Sequence, residues 1–318
     1  MDTGNTMFNP RFLPHLQRLI FTCLLVCPGM APSLAIAQDD MIWNSLDADN
    51  TVYLELQEGT VVIQLNPDFA PKTVKQFKTL LAEQFYRGLS FYRVIDGFVA
   101  QGGDESDMDG TEIKTLLKAE FEIDWPQKPK NKDEAKDWVE MAWTPVQTDD
   151  LFAPFTGFIN GFPAARDKKT GGKAWLTHCP GTVAMARNDD PDSSGTDFYI
   201  VIGQAPRYLD RNLTVFGRVV WGMDVVQRIK RGPSNNNGII EKDLDRSWIK
   251  RMRLASSLAP SERLDIYVTD TNSKGFKSLL QDRRNRKQSF FHHKPPKVLD
   301  VCQVPVPARL EKTPTTRN

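Results

Sequence analysis

The sequence predicts a mainly β protein: a closed antiparallel β-barrel with two capping helices, followed by a helical C-terminal extension. Residues 51–255 contain many short runs rich in β-branched and aromatic residues, bounded by Gly, Pro or Asp, which is typical of strands. Only two segments of this region place apolar residues at helical spacing. Many strands with few helices favour an antiparallel sheet that closes on itself and so leaves no open edge.

A hairpin and a helix come first, after a short polar lead, residues 38–50. The runs 51–56 and 60–65 are rich in strand-forming residues, and Gly59 lies in the turn between them. A helix is predicted to begin at Pro71, because proline is favoured in the first turn and four apolar residues then share one stripe. These residues are Val74, Phe77, Leu80 and Leu81.

The other barrel strands lie on both sides of an irregular region, at about residues 108–180. Residues 91–101 have strand character that is interrupted at Gly97. The irregular region combines a charged stretch, 127–137, with Gly- and Pro-rich pieces, and we predict a long insertion that its aromatic residues order in part. Further strands are predicted at 183–185, 198–202, 215–220 and 247–254, with a helix over 223–230.

The C-terminal extension, residues 256–318, ends the predicted architecture. Phe276, Leu279 and Leu280 form one apolar stripe at helical spacing, and three arginines follow within six residues. Basic residues are favoured at the C-terminal end of a helix, where they meet the negative end of its dipole. We therefore expect a helix here, and we expect the extension to pack on the barrel.

The charge balance indicates that a local site, and not the overall charge, selects the partner of this protein. The chain has 41 basic and 40 acidic residues, a net charge of +1, so no overall field attracts it to nucleic acid or to an anionic membrane. The motifs G-x-S-x-G, H-E-x-x-H and G-x-x-x-x-G-K-[ST] are absent. His178, His292 and His293 lack carboxylate or cysteine partners at ligand spacing. We expect no metal, no cofactor and no nucleic-acid partner, and we expect a monomer.

Residues 1–37 have the features of a secretory signal peptide. Arg11 and Arg18 form a sparse basic start, the apolar run 19–26 follows, and residues 35–37 read Ala-Ile-Ala, the A-x-A form of a cleavage site. A retained membrane anchor is the alternative, but the apolar run falls short of the about 20 residues that span a bilayer. We predict cleavage after Ala37, a periplasmic or otherwise exported protein, and no stable membrane insertion afterwards.

Cleavage at this site changes the cysteine count from four to two. Cys23 and Cys27 leave with the signal, whereas Cys179 and Cys302 remain. Two cysteines in an oxidising compartment predict one disulfide bond. Two buried free thiols are the alternative that the sequence leaves open.

One block, residues 91–103, combines polar and large apolar residues in a pattern that predicts a binding site. Arg93 and Gln101 stand among large apolar residues, and strand alternation places residues 91, 93 and 95 on one face. A guanidinium with several donors, beside an amide and an aromatic wall, suits gripping a peptide carbonyl while an apolar side chain is buried. A buried arginine in a salt bridge with Asp or Glu is the alternative.

This block and four others, in order along residues 51–255, resemble the cyclophilin family of peptidyl-prolyl cis/trans isomerases. The blocks are APKTVKQF (70–77), FYRVIDGFVAQGGD (91–104), GTVAMA (181–186), SGTDFYI (194–200), and YLD (208–210) with VFGRV (215–219). The resemblance implies a cyclophilin-like barrel that rotates X-Pro bonds of proline-containing polypeptides. Because rotation breaks no bond, the activity requires no cofactor.

The resemblance also assigns roles to residues of this chain. Arg93 is implied to be the catalytic arginine, and Gln101 its polar neighbour on the substrate backbone. The implied proline pocket consists of Phe98, Val99, Ala186, Tyr199 and Leu209. Three further pocket positions depart from the family pattern: Tyr208 replaces a frequent tryptophan, Asp197 a usual glutamine and Leu213 a frequent histidine. Asp197 can pair with Arg93, which would occupy the guanidinium and lower activity.

A second resemblance concerns the cysteines. His178-Cys179-Pro180 and residues 300–305, DVCQVP, are similar to segments of an exported bacterial subgroup of cyclophilin-like proteins with long C-terminal extensions. Together the resemblances imply an isomerase that assists the folding of exported proteins. Two other functions stay open. One is a binding module or chaperone with little isomerase activity, which Asp197 and Leu213 favour; the other is partner docking by the extension from Ser256, with the barrel as scaffold.

Overall fold

A computed structural model describes residues 40–105, 116–126 and 141–311. The predicted signal, 1–37, and the charged stretch 127–137 lie outside the described residues. The helices of the described part are α1 (Pro71–Ala82), α2 (Met223–Val226) and α3 (Lys274–Asn285). Its strands are β1 (Trp43–Ser45), β2 (Thr51–Leu56), β3 (Thr60–Leu65), β4 (Ser90–Ile95), β5 (Val99–Gly103), β6 (Ile123–Asp124), β7 (Trp143–Thr148), β8 (Phe155–Ile159), β9 (Phe162–Arg166), β10 (Lys173–Leu176), β11 (Thr182–Met185), β12 (Phe198–Val201), β13 (Val215–Trp221), β14 (Ser247–Leu254), β15 (Ile266–Thr269) and β16 (Ala308–Leu310). Among these described residues, no helix has the length and apolar character needed to cross a membrane.

Eight strands form a closed antiparallel barrel, which confirms the predicted fold class. The order around the barrel is β11-β12-β5-β4-β14-β2-β3-β13, and β13 pairs with β11 to close it. The interior is apolar, with the rings of Phe77, Phe91, Phe198 and Phe216 packed together. Phe77 of α1 and Val226 of α2 belong to this core, so both helices pack against the barrel. Burying one such side chain contributes about 1.5–3 kcal/mol.

The second helix is shorter than predicted. It ends at Val226, whereas the sequence indicated a helix over 223–230. The next residues continue in tight turns, because the amides of Arg228 and Ile229 bond to carbonyls three residues earlier. Such turns keep nearly the same spacing of apolar side chains as an α-helix, and Val225, Val226 and Ile229 are all buried. The apolar stripe therefore predicted correctly which residues are buried, but it overestimated the length of the helix.

The region predicted to be irregular contains a five-stranded antiparallel sheet, in the order β6-β10-β9-β8-β7. For the described part, the expectation of irregular structure is wrong. The strands have two to six residues, and Pro145 and Gly157 give β7 and β8 the composition of a loop. Pro145 is tolerated because β7 is an edge strand that bulges at this point. Glu120, just before the sheet, accepts the amides of Lys72 and Thr73 at 3.0 and 2.9 Å and so caps α1.

The C-terminal extension packs on both the insertion and the barrel. Its predicted helix forms as α3, and Phe276 packs edge-on to Phe158 of the insertion sheet, with ring centres 5.4 Å apart. Ile266 of β15 packs with Tyr53 on the outside of the barrel. The sequence did not predict the three-stranded sheet β1-β15-β16, which joins the polar lead to the extension. Each of its short strands depends on a partner that is remote in the chain.

A disulfide bond ties the extension to the barrel. Cys179 lies just before β11, and Cys302 lies in a 3₁₀ turn of the extension; the two are bonded, with Cα atoms 4.8 Å apart. The predicted disulfide therefore forms, and the alternative of two free thiols does not hold in the structure. Cys23 and Cys27 lie outside the described residues.

Arg218 of β13 connects the barrel to the insertion. Its side chain is 8% exposed, donates through Nη1 to the carbonyl of Gly161, and donates through Nη2 to Gln64 Oε1 at 2.9 Å. The ring of Phe162 lies 4.9 Å from the guanidinium, a distance at which a cation is attracted to an aromatic face. Burial lowers the pKa of Arg218 to about 10. The side chain is still protonated at neutral pH. Two neutral oxygens, from Gly161 and Gln64, and the ring of Phe162 therefore stabilise a buried positive charge.

Candidate active site

Three neighbouring strands place a row of candidate residues on the outer face of the barrel. Arg93 of β4 lies opposite Gln101 of β5, and Gln101 lies opposite Tyr199 of β12. Directly opposed residues of antiparallel strands are about 5 Å apart and project to the same side of the sheet. Val99 is two positions before Gln101 on β5 and shares that side. The fold therefore brings together four residues from three strands, β4, β5 and β12.

A β-bulge in β4 sets the direction of the Arg93 side chain. The register shifts between Phe91 and Arg93, so Tyr92 is an extra residue in the strand. Phe91 is buried in the barrel core, whereas Arg93 is partly exposed. The prediction that residues 91, 93 and 95 share one face is wrong, because the bulge changes the phase of the alternation. Sequence reasoning missed Tyr92 for the same reason.

Hydrogen bonds hold the Arg93 guanidinium in one orientation. Arg93 Nη1 donates to Gln101 Oε1 at 3.0 Å, and Gln101 Nε2 donates to the Tyr92 hydroxyl at 2.6 Å. The partner of Arg93 is thus the neutral amide of Gln101. It is not the Asp or Glu carboxylate that a salt bridge would require. Burial lowers the pKa of Arg93, and burial, followed by the charge of Asp197, raises the pKa of Tyr92. At neutral pH the guanidinium remains a cationic donor and Tyr92 remains a neutral phenol.

The apolar residues that were predicted to line a pocket lie beside this row. Val99 and Tyr199 are buried in one apolar cluster, and Phe98, Ala186 and Leu213 pack against it. These five residues come from β5 and the turn before it, from β12, and from the segments that follow β11 and precede β13. An apolar surface next to an oriented guanidinium can bury a small ring while the cation bonds to the polar group beside that ring.

A cavity shares Leu213 with this apolar cluster. Leu209 and Leu213 line an open cavity of about 610 Å³, together with Arg187 and Asn212. Tyr208 is 66% exposed, so its phenol is accessible to a bound molecule. Arg187 and Asn212 were not singled out by sequence reasoning, because polar residues in a loop carry no pattern that separates a cavity wall from a solvated turn.

The insertion sheet covers part of the same outer face. Ile159, Phe162 and Leu176, from β8, β9 and β10, are buried in the apolar cluster that contains Val99 and Tyr199. The insertion therefore packs against the residues that were predicted to line the pocket.

The family of the chain follows from comparison with known proteins. The family model for the cyclophilin type peptidyl-prolyl cis-trans isomerase/CLD matches residues 51–252. The chain belongs to the cyclophilin family. Its enzyme class is that of the family, peptidyl-prolyl cis-trans isomerase, EC 5.2.1.8.

Named relatives agree with this assignment. The cyclophilin is 34% identical over 200 residues to a probable peptidyl-prolyl cis-trans isomerase of Brucella suis biovar 1 (strain 1330), across 62% of this chain and 80% of the relative. It is 28% identical over 185 residues to peptidyl-prolyl cis-trans isomerase-like 1 of Mus musculus, across 58% and 82%. The crystal structure of cyclophilin AquaCyp293 from Hirschia baltica matches with a TM-score of 0.66 and 30% identity, across 86% of this chain and 95% of that one. This structural match reaches beyond the family domain.

Asp197 is a buried acidic residue at the edge of the cyclophilin site. It is 7% exposed and directly precedes β12. Its carboxylate lies against Gly103, which has φ +143°, and a Cβ at that position would collide with Asp197 Oδ1. Glycine is therefore required there both for the backbone angle and for space. Arg93 bonds to the amide of Gln101, and it does not form the salt bridge with Asp197 that the family resemblance suggested.

Asp197→Gln should raise kcat/KM on uncharged proline peptides by about two- to fivefold. The substitution removes a negative charge that acts on Tyr92, whose hydroxyl accepts from the Gln101 amide that orients Arg93, so the potential at this row of residues becomes more positive. The rate is measured in an isomerase assay at neutral pH, with Asp224→Asn as the control, because Asp224 is an exposed residue of α2 that pairs with Arg228. An unchanged rate in Asp197→Gln would mean that this carboxylate does not act on the site.

Proposed function

We propose that this cyclophilin isomerises X-Pro bonds of exported polypeptides and assists their folding in the periplasm, after removal of residues 1–37. In this proposal Arg93 is the catalytic residue, Gln101 contacts the substrate backbone, and the apolar cluster around Tyr199 and Val99 holds the proline ring. The observation that carries the proposal is the Arg93 guanidinium, oriented by Gln101 beside an apolar pocket.

The catalytic role of Arg93 follows from the electronic structure of the X-Pro bond. Amide resonance opposes rotation with a barrier of about 18–20 kcal/mol. As the amide twists, the lone pair of the proline nitrogen leaves conjugation and becomes able to accept a hydrogen bond. Arg93 supplies the donor, and Gln101 Oε1 fixes the direction in which the guanidinium points. A donor that bonds the twisted amide more strongly than either planar isomer lowers the barrier.

The pocket contributes by holding one side of the bond while the other side turns. Phe98, Ala186 and Leu213, which are partly exposed, offer apolar surface for the pyrrolidine ring next to the buried Val99 and Tyr199, and burial of that ring fixes the proline relative to Arg93. The acyl group rotates on the solvent side, where polar contacts to the backbone guide it. Lowering the barrier by about 7 kcal/mol would accelerate rotation by about five decades. No bond is broken, so these residues suffice without a nucleophile.

Two features support export. Residues 1–37 have the order of a basic start, an apolar core and an A-x-A site. The bond between Cys179 and Cys302 is of the kind that persists in oxidising compartments such as the periplasm. Both features are independent of the active site, so they support the location without depending on the activity.

The test of the proposal is an isomerase assay on the purified protein, combined with its localisation. The rate constant with which the X-Pro bond of a test peptide relaxes from cis to trans should increase in proportion to the protein concentration. A periplasmic fraction should contain the chain beginning at Gln38, as read by N-terminal mass spectrometry. A chain that keeps Met1 and stays with cytoplasmic markers would contradict the proposed location.

A binding module with little catalysis is the second candidate, and the buried carboxylate of Asp197 near the site favours it. The assay separates the two functions when it is paired with an NMR titration of the same peptide. Acceleration of the relaxation supports the enzyme, whereas binding without acceleration supports the module.

A further inference from the structure

We infer that the buried His178 is a positioning residue for the proline pocket, an inference that rests on the proposed function of that pocket. His178 lies in the segment between β10 and β11 and is 0% exposed. It therefore cannot touch a substrate, and its effect must act through Tyr199 and Asp210, which it contacts.

Both ring nitrogens of His178 have partners. Nδ1 lies 3.0 Å from Asp210 Oδ1, and the backbone amide of His178 donates to the same oxygen at 2.8 Å. Nε2 lies 2.8 Å from the hydroxyl of Tyr199, and the two rings are nearly parallel, with an angle of 16° between their planes. One histidine thus connects β12, which carries Tyr199, with the 3₁₀ turn Arg207–Leu209, which ends at Asp210.

The positions of the protons follow from the partners. The carboxylate of Asp210 accepts hydrogen bonds, so Nδ1 carries the proton and Nε2 accepts from the Tyr199 hydroxyl. Burial, and then the charge of Asp210, raises the pKa of Tyr199 well above its usual value, so the phenol keeps its proton. Arg207 donates from Nε to Asp210 Oδ2 and lies 3.4 Å from Asp150 of the insertion. The chain of contacts therefore runs from the pocket to the insertion.

This arrangement fixes two walls of the pocket relative to each other. Tyr199 is buried with Val99 in the apolar cluster, and its hydroxyl is anchored at His178. Leu209, which lines the cavity, directly precedes Asp210, which His178 and Arg207 hold. Loss of the anchor would let the Tyr199 ring and the Leu209 loop move apart, so the pocket would bind the proline ring less well. Rotation at Arg93 would be affected much less.

The test is a double-mutant cycle with Tyr199→Phe and His178→Asn. The first variant keeps the ring and removes the hydroxyl, and the second removes its acceptor. Each should raise KM for a short Ala-Pro peptide about three- to tenfold, as expected for the loss of one buried hydrogen bond, with kcat within about twofold. If His178 acts through Tyr199, the double variant should raise KM less than the product of the two single effects.

Tyr53→Phe is the matched control. Tyr53 is a buried tyrosine of β2, on another part of the barrel wall, whose hydroxyl accepts the amide of Leu264 at 2.9 Å. This variant should lose thermal stability to a similar extent and leave KM unchanged. If His178→Asn and Tyr199→Phe lower stability but leave KM as in the control, or if their effects on KM multiply independently, the inference is overturned.

An NMR titration of the same peptide separates this inference from the proposed function. If the wild-type protein binds the peptide without isomerising it, the proposed activity fails, but the dissociation constants still decide the role of His178. Weaker binding by both variants than by Tyr53→Phe would support that role, and equal binding would overturn it. A wild-type protein that neither isomerises nor binds the peptide would overturn both.

Discussion

Arg93→Ala should lower kcat/KM for X-Pro isomerisation by about 10²-fold, the usual cost of losing one oriented donor to a transition state. The effect should fall on kcat, because the apolar pocket that holds proline is unchanged. The barrel should remain folded, since Arg93 is partly exposed and lies outside the core. Arg93→Lys should recover only part of the activity, because an ammonium keeps the charge but loses the planar fork that bonds Gln101.

Arg251→Ala is the matched control for this substitution. Arg251 is an exposed arginine of β14 that donates to Glu55 at 2.9 Å, and surface pairs of this kind contribute about 0–1 kcal/mol to stability. Its removal should leave both kcat and KM at the wild-type values. Activity of Arg93→Ala close to that of the wild type would show that Arg93 serves the structure alone, and catalysis would have to be assigned to another group.

Replacing both bridging cysteines, Cys179→Ser with Cys302→Ser, should lower the free energy of unfolding by about 4–5 kcal/mol. The bond closes a loop with a sequence separation of 123, and the chain-entropy model gives about this value for such a loop, although measured effects are often smaller. The quantity is measured by urea unfolding at equilibrium. Mass spectrometry of the unreduced wild-type protein should find one internal bridge and no free thiol.

A reducing agent provides the control for the disulfide. It should lower the unfolding midpoint of the wild-type protein towards that of the double serine variant, and it should leave the variant itself unchanged. Equal midpoints of the oxidised wild type and the variant would show that the extension is held by its packing alone. Alkylation of two thiols in protein taken from the periplasm would contradict the bridge itself.

The barrel was predictable because its strands are rich in β-branched and aromatic residues, as in the hairpin of β2 and β3. The insertion sheet was not, since Pro145 and Gly157 resemble loop residues until an edge strand and its bulge are known. Arg93 and Gln101 could be selected from composition and from the family resemblance. The bulge at Tyr92 could not, because it adds one residue to a strand without changing the residue types.

The contacts of His178 show a second limit of sequence reasoning. Its partners, Tyr199 and Asp210, are 21 and 32 positions away, and each residue type is common in loops and strands. The position of His178 next to Cys179 and Pro180 does not indicate which side chains the imidazole contacts. Only the packing of β12 against the segment before β11 brings these side chains together.

The position of β14 determines when the barrel can be completed as the chain is made. This strand, Ser247–Leu254, pairs with β2 on one side and with β4 on the other, although both neighbours belong to the first third of the sequence. Until residues 247–254 are available for pairing, β2 and β4 each present unpaired backbone groups, and such edges invite pairing with other chains. Closure is thus a late event in biosynthesis, and a nascent chain that is halted before β14 carries an open sheet in need of protection.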